Sequence, residues 1–286
     1  MTVSIAQPIE RSQFAAIFEA RDSAGHKGSF GSVAIVGGAQ GMVGAAVLAA
    51  RSALKNGAGR VYVGLAQSDW RNPLDIEQPE LMWRDIDNLI SLGPQITAWG
   101  VGCGLGHAAQ SLQYLKLVFA HRAGQPLVLD ADALNALARK DVSPTWGDGI
   151  VVLTPHPAEA ARLLATNVQA IQADRLGAAR ELSKKFNAWV ALKGQHTVVC
   201  NPEGHCQINP TGNVALATAG SGDVLTGAMA SLLAQGFAAH VAIPGAVWLH
   251  GAAADLWVKR MGGPIGMTAS ELIDLMRELR NQPTAP

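Results

Sequence analysis

One carboxylate, Asp223, stands alone among small and apolar residues in 209-NPTGNVALATAGSGDVLTGAMASLLAQG-236. Gly220-Ser221-Gly222 before it can form a backbone nest, and a helix predicted from Asp223 to residue 235 would present free N–H groups. Together these make an anion hole. N–H groups at a helix N-terminus stabilise charge developing on a phosphoryl group in transfer. A carboxylate beside them is placed to take the proton from an acceptor hydroxyl. Any helix start favours an acid, but capping does not require the long run of small residues ahead of Asp223.

Other residues with chemical capacity sit where predicted strands end. Lys193 closes the apolar run 188-AWVALK-193 and precedes Gly194, which suits a phosphate contact or a solvated charge. His156 lies in 154-TPHPAE-159. Pro157 and Glu159 suit the first turn of a helix, so His156 reads either as part of a capped helix start or as a ligand contact fixed between two prolines. Glu159 could also orient a hydrated Mg²⁺ beside phosphates. Asp130 and Asp132 in 130-DADALN-135 suit helix capping and hydrogen-bonded networks. No His/Cys cluster accompanies them, so a tight transition-metal site is not expected. The loops 37-GGAQGMVG-44 and 102-GCGLG-106 match neither a dinucleotide fingerprint nor a phosphate-binding P-loop. They suit close helix–sheet packing or close backbone approach to a ligand. There is no G-x-S-x-G elbow and no catalytic Cys/His pair.

The elements that must position these residues alternate. Strands are predicted at 32–37, 60–65, 97–102, 126–130, 150–154 and 188–193, and shorter ones at 196–200 and 205–209. Helices are predicted from 43 to the glycines at 57 and 59, to about 120, over 131–139, from Pro157, and at 223–235, 239–260 and 268–280. A short helix belongs in residues 1–25, and the tail 281–286 should fray. This alternation predicts an α/β fold: a three-layer α/β/α sandwich with a mainly parallel central sheet and an antiparallel hairpin at one edge. Ligands of such sheets gather at the C-terminal ends of the strands. With no linker or repeat, residues 1–286 read as a single domain.

Composition narrows the function classes. At 49% hydrophobic and 15% charged residues the chain can bury a large core. Its formal net charge of zero gives no footprint for nucleic acid or an anionic membrane. Residues 1–14 show no basic stretch followed by an apolar one, so no secretory signal is expected, and the apolar region 224–258 is broken by Gln235, His240 and Pro244, so it reads as two buried helices. Three cysteines without a CxxC spacing read as free thiols in a reducing, cytoplasmic compartment, although Cys200 and Cys206 flank the turn 201-NPEGH-205 and could approach each other.

Taken as a set, the motifs 26-HKGSFG-31, 37-GGAQGMVGAA-46, 102-GCGLG-106, 129-LDADALN-135, 154-TPHPAE-159, 192-LKGQHT-197 and 211-TGN…LATAGSGDVLTG-227 resemble the ADP-dependent NAD(P)H-hydrate dehydratases of the ribokinase-like superfamily, over Lys27 to Arg280. The resemblance implies a hydro-lyase that restores NADH or NADPH from the S epimer of its hydrate, consuming ADP and releasing AMP and phosphate. It implies that Asp223 is the base on the hydrate hydroxyl and that the β-phosphoryl group moves to that oxygen at Gly222. Ala45, Gly104 and His156 match positions that contact the hydrate, and Asn213 lines the site. Lys193, Gly194, Gln195, His196, Thr197 and Gly222 match the adenine-nucleotide site. Mg²⁺ and a homotetramer are implied as well. Two departures stand out: Val214-Ala215 where the family commonly has Pro-Gly, and Cys103 where it commonly has Pro. Some relatives carry an N-terminal epimerase domain, which is not expected here. A ribokinase-like ATP-dependent kinase of a small alcohol would use the same anion hole and base; the T-P-H-P and G-G-A-Q-G-M-V-G motifs favour the dehydratase.

Overall fold

The computed structural model describes residues 6–67, 75–143 and 146–282; residues 283–286 of the expected frayed tail lie outside it. Its strands are β1 (Gln7–Pro8), β2 (Ser32–Gly37), β3 (Arg60–Leu65), β4 (Met82–Trp83), β5 (Ala98–Val101), β6 (Leu127–Leu129), β7 (Val151–Leu153), β8 (Trp189–Leu192), β9 (Val198–Cys200) and β10 (Cys206–Ile208). The helices are α1 (Val43–Lys55), α2 (Ile86–Ser91), α3 (Ala109–His121), α4 (Asp132–Ala138), α5 (Pro157–Leu164), α6 (Val168–Ala173), α7 (Arg175–Phe186), α8 (Ser221–Ala234), α9 (Ala239–Met261) and α10 (Ala269–Arg280). A 3₁₀ helix over Arg11–Phe18 accounts for the short N-terminal helix.

All ten strands form one sheet in the order β1-β10-β9-β8-β7-β6-β5-β2-β3-β4. Pairing is parallel except that β9 runs against both β8 and β10, the expected edge hairpin. β1 then pairs parallel to β10. β1 and β4 are two residues long and carry no hydrophobic period, so the chain pattern did not announce them.

Side chains alternate across each strand, and here both faces are buried. Val33 and Ile35 of β2 enter one core with α1, α8, α9 and α10. Ala34 and Val36 enter the other with α2, α3, α4, α5 and α7. That double burial explains why the central strands read as unbroken apolar runs. α8 lies close on α1, where Ser52 Oγ donates to the Val224 carbonyl at 2.6 Å. Among the described residues α9 is the one helix long and apolar enough to cross a membrane; 61% of its most apolar window is buried in the protein, as in a core helix.

Two expectations need correction. α8 begins at Ser221, not Asp223, because Gly220 supplies the turn into the helix at φ +89°. Asp223 therefore lies inside the first turn. The second concerns the thiols: Cys200 and Cys206 are directly opposed in the β9–β10 register and are joined by a disulfide, while Cys103 is free and buried. The spacing around 201-NPEGH-205 did not reveal that both residues face the same side of the ladder. Closing so short a loop stabilises by about 2 kcal/mol in the loop-entropy picture. Reduction, or Cys200→Ser with Cys206→Ser, should lower the urea midpoint accordingly, and equal midpoints with and without dithiothreitol would refute this.

Candidate active site

Three strand ends are stitched together by backbone. The Gly38 N–H donates to Cys103 O at 3.0 Å and the Ala39 N–H to Gly104 O at 2.7 Å. The Gly106 N–H donates to Asp132 Oδ2 at 2.8 Å, and the Asp132 N–H to Gly102 O at 3.3 Å. Gly102 has φ +119°, and a Cβ there would overlap the Asp130 carbonyl oxygen. The two glycine-rich loops are thus packing devices for β2, β5 and β6. They also bring Ala45 and Gly104 into contact: a Cβ on Gly104 would stand 3.1 Å from that of Ala45.

The first turn of α8 arrives at the same edge. Gly220 O accepts from Val224 N, while the N–H groups of Gly222 and Asp223 have no acceptor among the described residues. Such free N–H groups are what an anion hole at a helix start requires. Two side-chain contacts fix the turn. Ser221 Oγ donates to Leu216 O at 2.9 Å, and His250 Nε2 lies 2.9 Å from Ser221 O. Burial lowers His250 to about 4, so the neutral ring donates through Nε2.

Behind the anion hole is a buried charge cluster. Lys193 Nζ donates to Asp130 Oδ1 at 2.5 Å. Thr226 Oγ1, on α8, donates to Asp130 Oδ2 at 3.0 Å. A Cβ on Gly222 would lie 3.1 Å from Lys193 Nζ and 3.4 Å from Asp130 Oδ2, so the ammonium sits against the α8 turn. Cys103 Sγ and carboxylate oxygens of Asp130 and Asp223 all lie within 4.8 Å of one another.

The cluster separates the two acids. Burial raises Asp223 to about 6; the Cys103 thiol, donating to the carboxylate, works against burial, Asp130 pushes the same way as burial, and Lys193 opposes it. Burial also acts against ionised Asp130, but the Lys193 ammonium, hydroxyls and the Ala131 N–H outweigh it and leave Asp130 below the usual carboxylate range. Burial disfavours the Lys193 cation, and Asp130 and Glu159 more than restore it. The Cys103 thiol is pushed well up by burial, then by Asp223 and Asp130. One carboxylate is a fixed anion and its neighbour a base poised near neutrality, a separation typical of functional sites.

A cavity of about 480 Å³ opens on one side of Gly222. Lys193, Gly194, Gln195, His196 and Thr197 line it, with Asn213, Gly222 and His250. The whole predicted nucleotide segment therefore shares one cavity. Asn213 joins that group rather than the Ala45–Gly104 side, and its side chain is already engaged. Nδ2 donates to Asp255 Oδ1 at 2.8 Å, and Oδ1 accepts from Ala215 N at 2.9 Å. Asp255 also accepts from Gly212 N. Val214-Ala215, the departure from Pro-Gly, forms a 3₁₀ turn capped by Asn213. The loop thus closes without proline.

His156 takes the first of its two readings, the capped helix start. It is the N-cap of α5: Nδ1 accepts from Ala158 N at 3.1 Å, and Glu159 Oε2 accepts from His156 N at 2.8 Å. Burial, Lys193 and Arg162 lower its pKa, so the neutral ring carries its proton on Nε2. The side chain is half-exposed, and Nε2, 3.4 Å from Glu159 Oε1, has a proton to donate. Ala45, Gly104, His156 and Asp223 lie outside the cavity lining, and Asp223 faces the Cys103–Gly104 loop.

Mg²⁺ needs near-octahedral oxygen ligands. The three-donor cluster offers a thiol and two carboxylates, one held by an ammonium at 2.5 Å. These residues do not form a Mg²⁺ cage. The proximity of Cys103 to both acids was invisible in the sequence, since 27 residues separate it from Asp130 and the contact arises only when β5 and β6 pair.

The sequence profile of the family described as NAD(P)H-hydrate dehydratase matches residues 33–278. The ADP-dependent (S)-NAD(P)H-hydrate dehydratase of Neisseria meningitidis serogroup B is 44% identical over 95% of this chain and 92% of its own. A crystal structure of the ADP/ATP-dependent NAD(P)H-hydrate dehydratase of Bacillus subtilis, co-crystallised with ATP and Mg²⁺, superposes with a TM-score of 0.86 at 31% identity over 98% of this chain and 100% of its own. A ribokinase-like superfamily protein of Enterococcus faecalis V583 also gives a TM-score of 0.86, at 26% identity over 100% of this chain and 99% of its own. The fold is ribokinase-like, as the resemblance implied.

Asp223 should titrate near pH 6 in the ligand-free protein, read by carboxyl carbon-13 NMR against Asp223→Asn. Cys103→Ala removes a donor to the ionised carboxylate and should move the midpoint upward. A midpoint in the ordinary Asp range near 4 would overturn the burial argument.

Proposed function

The chain belongs to the NAD(P)H-hydrate dehydratase family, and from that premise we propose that it catalyses ADP-dependent dehydration of the S epimer of NAD(P)H hydrate, with release of AMP and phosphate. The observation that carries the reading is the half-buried Asp223 carboxylate, its pKa raised by desolvation, beside the free N–H groups of the α8 turn. A nucleotide in the cavity of Lys193–Thr197 would bring its phosphates to Gly222. The hydrate would lie on the other side, against Ala45, Gly104 and His156, with its hydroxyl at Asp223.

In this arrangement Asp223 takes the hydroxyl proton as that oxygen attacks the β-phosphorus. The bond to the bridging oxygen breaks and AMP leaves. The Gly222 and Asp223 N–H groups and the Lys193 ammonium stabilise the transferring charge. The ring nitrogen then expels phosphate, and loss of the neighbouring ring proton restores the dihydropyridine. Phosphate leaves far more readily than hydroxide, so transfer is the step the protein must promote. His156 Nε2–H is a donor available to the hydrate.

Mg²⁺ enters this reading as a companion of the nucleotide phosphates; no step here depends on it. The homotetramer and the cytoplasmic setting are parts of the same proposal, supported by the family resemblance. Light scattering tests the assembly.

Mixing the protein with the S hydrate of NADH and ADP should regenerate the absorbance of NADH. No recovery with ADP or ATP would sink the reading. The rate should rise with pH through about 6 as Asp223 ionises. Asp223→Asn should bind ADP normally and lose about 10²-fold or more in kcat. A near wild-type kcat in that variant would remove Asp223 from the role of base.

A further inference from the structure

We propose that Asp130 is a positioning residue of this site: its carboxylate holds the Lys193 ammonium at the α8 turn and sustains the basicity of Asp223. The inference rests on the dehydratase reading above. Asp130 does not line the nucleotide cavity, so it acts through its neighbours.

The geometry is over-determined. The Asp130 side chain is 2% exposed, against 19% for Lys193. One oxygen holds the ammonium and the other holds Thr226 of α8, so Asp130 ties β8 and α8 to the end of β6. Ala131 after it adopts φ +47°, ψ −111°, a sparsely populated region for a residue with a side chain. Such strain persists only where the surroundings enforce it, and it marks functional turns. Here the neighbouring backbone leaves little freedom, because the Asp130 carbonyl lies where a Cβ of residue 102 would be.

The second link is charge. Asp223 is faced by Cys103 from the loop after β5, by Asp130 from the loop after β6, by Asp132 at the start of α4, and by Lys193 from the loop after β8. His156 and Glu159 of α5 and His250 of α9 complete the titratable groups near Lys193. Among these, Asp130 is the anion that meets both Lys193 and Asp223 at short range. A fixed anion stabilises the lysine cation and disfavours a second anion on Asp223. Both groups are thereby held at higher pKa than they would have without it. A residue that served only to tie strands together would have no such signature.

Asp130→Asn tests this. Neutralising the carboxylate should move both limbs of the kcat–pH profile to lower pH, the acid limb through Asp223 and the basic limb through Lys193, and should reduce kcat at neutral pH about tenfold or more. Asp130→Glu should return the limbs toward their wild-type positions even if the rate stays low. The carbon-13 titration of Asp223 should move downward in Asp130→Asn, a readout that needs no turnover. A fall in kcat with limbs and titration unmoved would overturn the proposal and leave Asp130 a structural tie. If Asp130→Asn does not fold, the double variant Asp130→Asn with Lys193→Met, which leaves no unpaired buried charge, is compared with Lys193→Met alone: the Asp223 midpoint must lie lower in the double variant. An unmoved midpoint would again overturn it. An inactive wild-type enzyme in the same assay would count against the dehydratase reading instead, and the titrations would still decide the role of Asp130.

Discussion

The arrangement of the site depends on one ion pair that spans a strand. Asp130 follows β6 and Lys193 follows β8, with β7 between them. Neighbouring strands lie about 4.8 Å apart, so the two residues begin roughly 10 Å from each other. The lysine side chain must cross the end of β7 to make its 2.5 Å contact. Thr154, fully buried at that end, leaves room for the crossing, and its hydroxyl bonds Leu129 O. Taking both charges out of water costs several kcal/mol per ion, and a pair alone does not recover it. Thr226 and the Ala131 N–H supply the additional hydrogen bonds. The pair is therefore weak evidence for stability and better evidence for a site.

The same pair explains why α8 must start where it does. Thr226 anchors its first turns to Asp130, and Ser52 of α1 anchors the Val224 carbonyl. With both ends of the turn fixed, Gly222 lies against the ammonium and Asp223 against Cys103. His250 and Asp255, one turn and a half apart on α9, set the remaining geometry: His250 holds Ser221 O, and Asp255 holds the loop at Gly212 and Asn213. Packing of α9 against α8 and α10 is thereby coupled to the shape of the cavity lined by Lys193–Thr197.

How much of this could be read from the chain follows from how local each signal is. The βα order, the edge hairpin and the place of the loop after β8 were legible because each is written in a short stretch with its own period or punctuation. The place of Asp223 at a helix start was legible because glycines and a lone acid punctuate the chain there. The Lys193–Asp130 pair joins residues 63 apart, and the Thr226–Asp130 bond joins residues 96 apart. Nothing in either neighbourhood selects its partner; strand order does. The disulfide was missed for a related reason, because pairing of Cys200 with Cys206 is decided by register in the β9–β10 ladder. The Asn213 cap was half visible: its place in the loop could be seen, but the Asp255 clamp that occupies its side chain could not.

Charge balance also accounts for the abundance of small residues around Asp223. The one lysine at the cavity is already paired with Asp130, so before any ligand arrives the cluster carries no surplus positive charge. An ionised Asp223 makes it negative. A nucleotide bringing several more negative charges cannot be held there by net charge, and the chain as a whole has none to offer. The attraction must come from oriented backbone dipoles, chiefly the unpaired N–H groups at the start of α8, assisted by an ammonium shared between Asp130 and the ligand. Backbone can approach a phosphate closely only where side chains are small. The run that ends in Gly220-Ser221-Gly222 meets that condition, and a base with a raised pKa can stand beside that turn because the cation next to it, Lys193, is already paired with Asp130.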